Sequence, residues 1–138
     1  MKIDYPFIGR ERKRPMVLVN IINPFKNIEQ KFNCLLDTGA DASVFNENIA
    51  IALGHNLTAH DVKQKVTFGV AGKKVTAYLH TFIIELLHPM DLSVIWSSEN
   101  LEIKCIPNCK LPLLGTDDFL CNFTLTFDYE NQLSTLYF

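Results

Sequence analysis

The stretch "CLLDTGADASVF" (Cys34 to Phe45) holds a carboxylate, Asp37, at the end of an apolar run and just before a turn made by Thr38 and Gly39. A buried charge without a partner is costly, so this position requires groups that solvate it. Gly39 permits close backbone approach, and N–H groups exposed in such a turn can hydrogen-bond the carboxylate. Thr38 adds a short hydroxyl able to bond across to another backbone. One carboxylate alone is a poor catalyst of hydrolysis, which needs a base and an acid together. Two carboxylates held about 3 Å apart share one proton and supply both. The chain contains this turn once, so the second carboxylate must come from another chain, as a two-fold dimer provides. The alternative for Asp37 is a plain strand-end Asx turn.

Other groups invite chemistry less. Asp117 and Asp118 follow Thr116, which is well placed as a helix N-cap, and acidic residues in a first helical turn need no further explanation. Cys34 and Cys121 lie within apolar stretches and read as small hydrophobes. Cys105 and Cys109, in "CIPNC", lack the second pair that a zinc site would need, and His55, His60, His80 and His88 show no ligand spacing. No metal and no cofactor is expected. An aspartyl-phosphate mechanism would also use an aspartate at a strand end, but it requires a magnesium site and a phosphate-binding loop, and neither is recognisable.

The elements that must position Asp37 are mostly strands. "PMVLVNII" (Pro15 to Ile22) and "QKFNCLL" (Gln30 to Leu36) flank the turn "NPFKN" and predict an antiparallel hairpin. "SVF" is a short extended piece, and "NENIAIALG" (Asn46 to Gly54) reads as a short helix capped by Asn46 or Asn48 and ended by Gly54. Lys63 to Leu86 predicts a hairpin around "GVAG" (Gly69 to Gly72), with an exposed tip at Lys73 and Lys74. "LSVIW" and "LEIKCI" are extended fragments whose pairing the sequence leaves open. "LPLLGTDDFLCNF" predicts strand, glycine, then a second short helix, and "FTLTFDYENQLSTLYF" a closing hairpin around "DYEN".

A chain of 138 residues accommodates one domain, and the 48% hydrophobic and 20% charged content is that of an ordinary globular protein. The expectation is a lead-in over 1–14 and a single domain over 15–138. A net charge of −2 gives no reason to expect nucleic acid as a partner. The basic run "GRERKRP" (Gly9 to Pro15) reads as a solvated lead-in. No stretch approaches the roughly 20 apolar residues of a membrane span, and "MKIDYPF" lacks the apolar core of a signal peptide, so no membrane contact and a cytoplasmic location are expected.

"LLDTGADASVF", the glycine-tipped hairpin and "LPLLGTDDFL", in that order, resemble the retropepsin-like aspartic proteases, the group of retroviral proteases and their cellular and bacterial relatives. The likeness runs from about Pro15 to Phe138. It implies a mostly β, closed barrel-like monomer with two short helices and a flap hairpin, active as a homodimer. By that resemblance Asp37, paired with Asp37 of a second copy, activates a water that attacks the scissile carbonyl of an extended peptide or protein substrate. Thr38 forms hydrogen bonds across the dimer, and Gly39 and Ala40 line the cleft floor. Phe68, Gly69, Val70, Ala71 and Gly72 form the flap, and Leu113, Leu114 and Gly115 pack behind the catalytic loop. The alternative function is a catalytically silent or highly selective dimeric peptide-binding module of the same fold.

Three features depart from the retroviral pattern. "FGVAG" is poorer in glycine than a retroviral flap. The segment Leu87 to Lys110 is longer than its retroviral equivalent. The short termini that join two retroviral protomers are not evident, and the terminal segment Leu133 to Phe138 is the expected substitute. "FTLTFDYEN" looks more like the cellular and bacterial members, and the Tyr5–Pro6 bond resembles one that some retroviral proteases cut.

Overall fold

The computed structural model of the chain describes residues 1–68 and 72–138. Its strands are β1 (Lys2–Pro6), β2 (Met16–Asn23), β3 (Ile28–Leu36), β4 (Val44–Asn46), β5 (Gln64–Phe68), β6 (Lys74–Leu87), β7 (Val94–Ser97), β8 (Leu101–Ile106), β9 (Leu113–Leu114), β10 (Thr124–Asp128) and β11 (Leu133–Tyr137). Among the described residues there is one α-helix, α1, over Glu47–Ala52.

The β2–β3 hairpin forms where β-branched and apolar runs flank a turn. Asn23 folds that turn by accepting the Phe25 N–H at 3.0 Å, and Asn27 takes the left-handed conformation that asparagine tolerates (φ 53°). The 14-residue β6 is long enough to serve several partners. It pairs with β5 along its first residues, with β8 in its middle, and with β2 and β7 toward its end. Together with the pairings β2–β3, β3–β9, β9–β4 and β4–β8, these close β2, β3, β9, β4, β8 and β6 into a ring. Closure removes open sheet edges and gives one interior. Val17, Val19 and Ile21 of β2, and Phe82, Ile84 and Leu86 of β6, point there with the period of two that a strand imposes, all fully buried. The closed, mostly β architecture matches the expectation from sequence.

Helix α1 plugs one end of the ring with Ile49, Ala50 and Leu53. Asn46 is its cap, accepting the Asn48 N–H at 2.8 Å. Gly54 leaves it at φ +84°, where a Cβ would meet Ile28 at 2.8 Å. Beyond the helix, His55 and His80 lie with ring centroids 4.7 Å apart. Each bonds a backbone carbonyl through Nε2, His55 that of Thr81 at 3.0 Å and His80 that of Leu57 at 3.2 Å. The pair fastens the connection after α1 to β6.

The second short helix expected after Gly115 is absent. The N–H groups of Leu120 and Cys121 reach five residues back, to Gly115 and Thr116, while those of Asn122 and Phe123 reach three. Without the four-residue ladder the segment is a turn ending in a 3-10 stretch at Leu120–Asn122. Thr116 is accordingly no helix cap; its hydroxyl donates to the Asp41 carbonyl at 3.3 Å. Cys121, read as a small hydrophobe within an apolar stretch, is exposed.

The closing hairpin β10–β11 forms as expected, and a third strand joins it. Residues assigned from sequence to a lead-in supply β1, which pairs antiparallel with β11 from Lys2↔Tyr137 to Pro6↔Leu133. Ile3 and Tyr5 of β1 are buried, and the Tyr5 hydroxyl donates to the Leu87 carbonyl at 3.2 Å. Strand β11 is therefore central, and the sheet's outer strands are β1 and β10.

Candidate active site

Asp37 is the first residue beyond β3. Cys34 and Leu36 point into the core and hold the strand in place, and the parallel pairing Leu36↔Leu114 carries the chain to its end. The Asp37 N–H continues that ladder by donating to the Leu114 carbonyl at 3.0 Å. Its side chain is half-buried, and Oδ1 accepts the Gly39 N–H at 2.9 Å, while the Ala40 N–H closes the turn on the Asp37 carbonyl at 3.2 Å. One turn amide thus solvates the carboxylate from behind and orients it. Thr38 is exposed at the turn's tip.

The loop is clamped from below by the segment after β9. Thr116 N–H donates to the Ala40 carbonyl at 2.9 Å and Asp117 N–H to the Asp41 carbonyl at 2.8 Å. Between these contacts Gly115 lies so close to Ala42 that a Cβ would stand 2.4 Å from the Ala42 carbonyl carbon. Glycine is required here for backbone approach. Leu114 is fully buried behind the loop and Leu113 half-buried beside it.

Two residues of this clamp escaped sequence reasoning. Ser43 is buried, and its hydroxyl accepts the Gly115 N–H at 3.0 Å while donating to Asp118 Oδ1 at 2.7 Å. The Asp118 carboxylate also accepts the Ser43 N–H, at 2.9 Å to Oδ2. Asp118 therefore crosslinks the two strand-end loops rather than facing a helix dipole. Adjacent aspartates after a threonine give a capping signal, and nothing in the local sequence separates the two roles.

A cleft of about 630 Å³ opens beside Asp37 and Gly39. Val44, Phe68, Val75 and Leu113 contribute apolar walls, so the β5–β6 hairpin borders the cleft that the carboxylate lines. Of the five sequence-derived flap residues, Phe68 lines this cleft, Gly72 has φ +71°, and Gly69, Val70 and Ala71 fall outside the described residues. Cys109 also lines the cleft; its thiol donates to the Leu111 carbonyl at 2.9 Å, and burial raises its pKa above the usual thiol value. On the other side of the turn a hollow of about 300 Å³ brings Asp37 and Thr38 against Arg12, Arg14, Phe127 and Tyr129. The basic lead-in and β10 thus border the aspartate loop, a proximity no local pattern announces. A separate apolar hollow of about 530 Å³, between β1 and the His88–Met90 turn, contains none of the sequence-derived site residues.

Among the described residues no three His, Cys, Asp or Glu side chains gather as a metal-holding group, and no helix is long and apolar enough to cross a membrane. The arrangement offers instead an oriented carboxylate at the mouth of an apolar cleft, with the turn that bears it exposed at its tip.

No protein-family model matches the sequence. No curated protein matches it either. The fold is similar to that of a retropepsin-like aspartic protease from Rickettsia conorii, with a TM-score of 0.64 and 19% identity over 99% of this chain and 91% of that one. It is also similar to EIAV protease complexed with the inhibitor HBY-793, with a TM-score of 0.52 and 22% identity over 83% of this chain and 93% of that one. With its ring of six strands and its clamped aspartate loop, the chain has the retropepsin-like aspartic protease fold.

Proposed function

We propose that the chain is an aspartic endopeptidase, active as a homodimer, whose catalytic groups are two copies of Asp37. The observation that carries this is the oriented Asp37 carboxylate at the mouth of an apolar cleft bordered by the β5–β6 hairpin, in a fold shared with aspartic proteases. An extended peptide suits such a cleft, because its side chains alternate between apolar walls while its backbone meets the hairpin. Phe68 to Gly72 would serve as the flap over it.

In the reaction one Asp37 is ionised and the other protonated. The ionised carboxylate takes a proton from water as the water oxygen bonds to the scissile carbonyl carbon, and the protonated one donates to the carbonyl oxygen. The tetrahedral diol then breaks its C–N bond as its nitrogen receives the proton taken from water by the first Asp37 and a diol hydroxyl returns its proton to the second, giving a carboxylic acid, an amine and the starting carboxylate pair. No covalent enzyme intermediate and no metal is required. Ser43, Gly115 and Asp118 keep the loop rigid, so that the carboxylates meet without reorganisation.

The dimer follows from the need for a second carboxylate. Thr38 is exposed, and the hollow it lines is bordered by Phe127 of the outer strand β10. A two-fold axis beside Thr38 brings the aspartate loops together and sets β10 against its symmetry mate, with Thr38 bonding across the axis. The terminal segment Leu133 to Phe138 then acts through β10, since β11 already has a neighbour on each side.

The test is cleavage of a diverse peptide library from about pH 4 to pH 8, with Asp37→Asn as control. Cuts by the wild type that vanish in the variant support the reading. Cuts that persist in the variant overturn the role of Asp37. The absence of cuts by a protein that sediments as a dimer overturns the protease reading in favour of a peptide-binding module.

A further inference from the structure

The cleft beside Asp37 is walled by Val44, Phe68, Val75, Ile106, Pro107 and Leu113, and among the described residues one cation faces it, Lys73. Lys73 immediately precedes β6, two residues before Val75. Both line the cleft, whereas Lys74 between them does not. Lys73 is exposed, and the ion pairs among the described residues, Lys63–Glu102 and His88–Asp91, do not involve it. A positive charge at the rim of an apolar cleft is only partly screened once a peptide fills the cleft and displaces water. It then distinguishes ligands by charge, through attraction of one sign and repulsion of the other.

We infer that Lys73 is a specificity-determining residue, selecting extended peptides that carry Asp or Glu next to an apolar stretch; the inference rests on the protease reading above. The acidic side chain belongs on the hairpin side of the cleft, away from the cleaved bond, because Asp37 repels a carboxylate close to itself. In a two-fold dimer each half of the cleft carries one Lys73. The acidic preference therefore extends to both sides of the cleaved bond.

The experiment compares peptides with a fixed apolar centre and Glu, Gln or Lys at each flanking position, cleaved by the wild type, Lys73→Gln and Lys73→Glu. The readout is the ratio of kcat/KM between peptides, so a general change in activity does not enter. For the wild type we expect Glu over Gln by about tenfold on at least one position at each side, shrinking as salt is raised. Lys73→Gln should bring the ratio close to one, and Lys73→Glu should reverse it in favour of Lys. Position 73 is exposed, and circular dichroism verifies that both variants fold. If wild type and Lys73→Glu cleave with the same charge preference, Lys73 has no such role and the protease reading stands. If no peptide is cut by any form, the protease reading fails and this inference falls with it.

Discussion

Gly115 packs against the backbone of Ala42 more closely than any residue with a side chain could, an added Cβ lying 2.4, 2.7 and 2.8 Å from the Ala42 carbonyl carbon, carbonyl oxygen and Cα. All three are backbone atoms, so no side-chain rotation relieves the clash. Gly115→Ala must separate the aspartate loop from β9 and disturb the bond from Asp37 N–H to Leu114. We expect a stability loss of about 3 kcal/mol in urea unfolding, toward the upper end of what overpacking costs. Peptide cleavage should fall further than the unfolded fraction accounts for, because the loop shifts even in folded molecules. A variant as stable as the wild type would contradict this contact.

The link between Ser43 and Asp118 makes a graded prediction. Ser43→Ala removes the acceptor of the buried Gly115 N–H and a donor to Asp118, and should cost about 1–3 kcal/mol. Asp118→Asn keeps a carbonyl oxygen for the Ser43 N–H and should cost less. The two substitutions share one network, so their effects should be less than additive when combined. Urea unfolding of both single variants and the double variant measures this directly. Full additivity would mean that the residues do not act together.

The loop was readable because its signals are local. An apolar strand that stops at Asp37, a turn residue pair and an apolar resumption state the conformation within a dozen positions. The same holds for the Asn46 cap, the Gly54 helix end and the hairpins β2–β3 and β10–β11, each closed by turn residues. What stayed hidden is non-local. The parallel pairings Leu36↔Leu114 and Val44↔Lys104 join distant segments with no turn between them to announce the register. The pairing of β1 with β11 joins the two ends of the chain. The role of Asp118 depends on Ser43 across the clamp, and its neighbour Asp117 offered the same local signal. The segment after Gly115 had a good capping sequence, but tertiary bonds to Ala40 and Asp41 pulled it into a turn. Propensity lost there to the geometry of the aspartate loop.

The proposed dimer predicts that a charge on the β10 side of the aspartate loop separates the protomers. Phe127 is half-buried and borders the hollow next to Thr38. Phe127→Asp would place a carboxylate and its symmetry mate in the interface, costing desolvation and like-charge repulsion. We expect a folded monomer in sedimentation, with dimer affinity lowered by at least about a hundredfold and cleavage lost in proportion. Circular dichroism separates this from unfolding. A Phe127→Asp protein that remains dimeric and active would move the two-fold axis away from β10.

The final prediction concerns acid. His55 and His80 both titrate below the usual imidazole value near 6.5, chiefly because burial disfavours their charged forms. For His55 the neighbouring His80 and Lys26 lower it further, against the Thr81 carbonyl, which raises it. Asp61, Lys63 and Glu102 border the same pair from the connecting loop and β8. The unfolded chain thus binds protons at a higher pH than the folded one. The stability these histidines contribute is complete above about pH 6.5 and is lost as pH falls below it, until the folded-state values are passed. Urea midpoints should decrease from pH 7 to pH 5. His80→Gln, which retains a donor for the Leu57 carbonyl without titrating, should flatten that decline. A parallel decline in wild type and variant would assign the acid sensitivity elsewhere. Since a carboxylate pair holding one proton favours mildly acid conditions, the histidine pair sets an opposing limit. Cleavage at the acid end should then fail through loosening of β6 and the hairpin it carries, and His80→Gln should extend activity to lower pH.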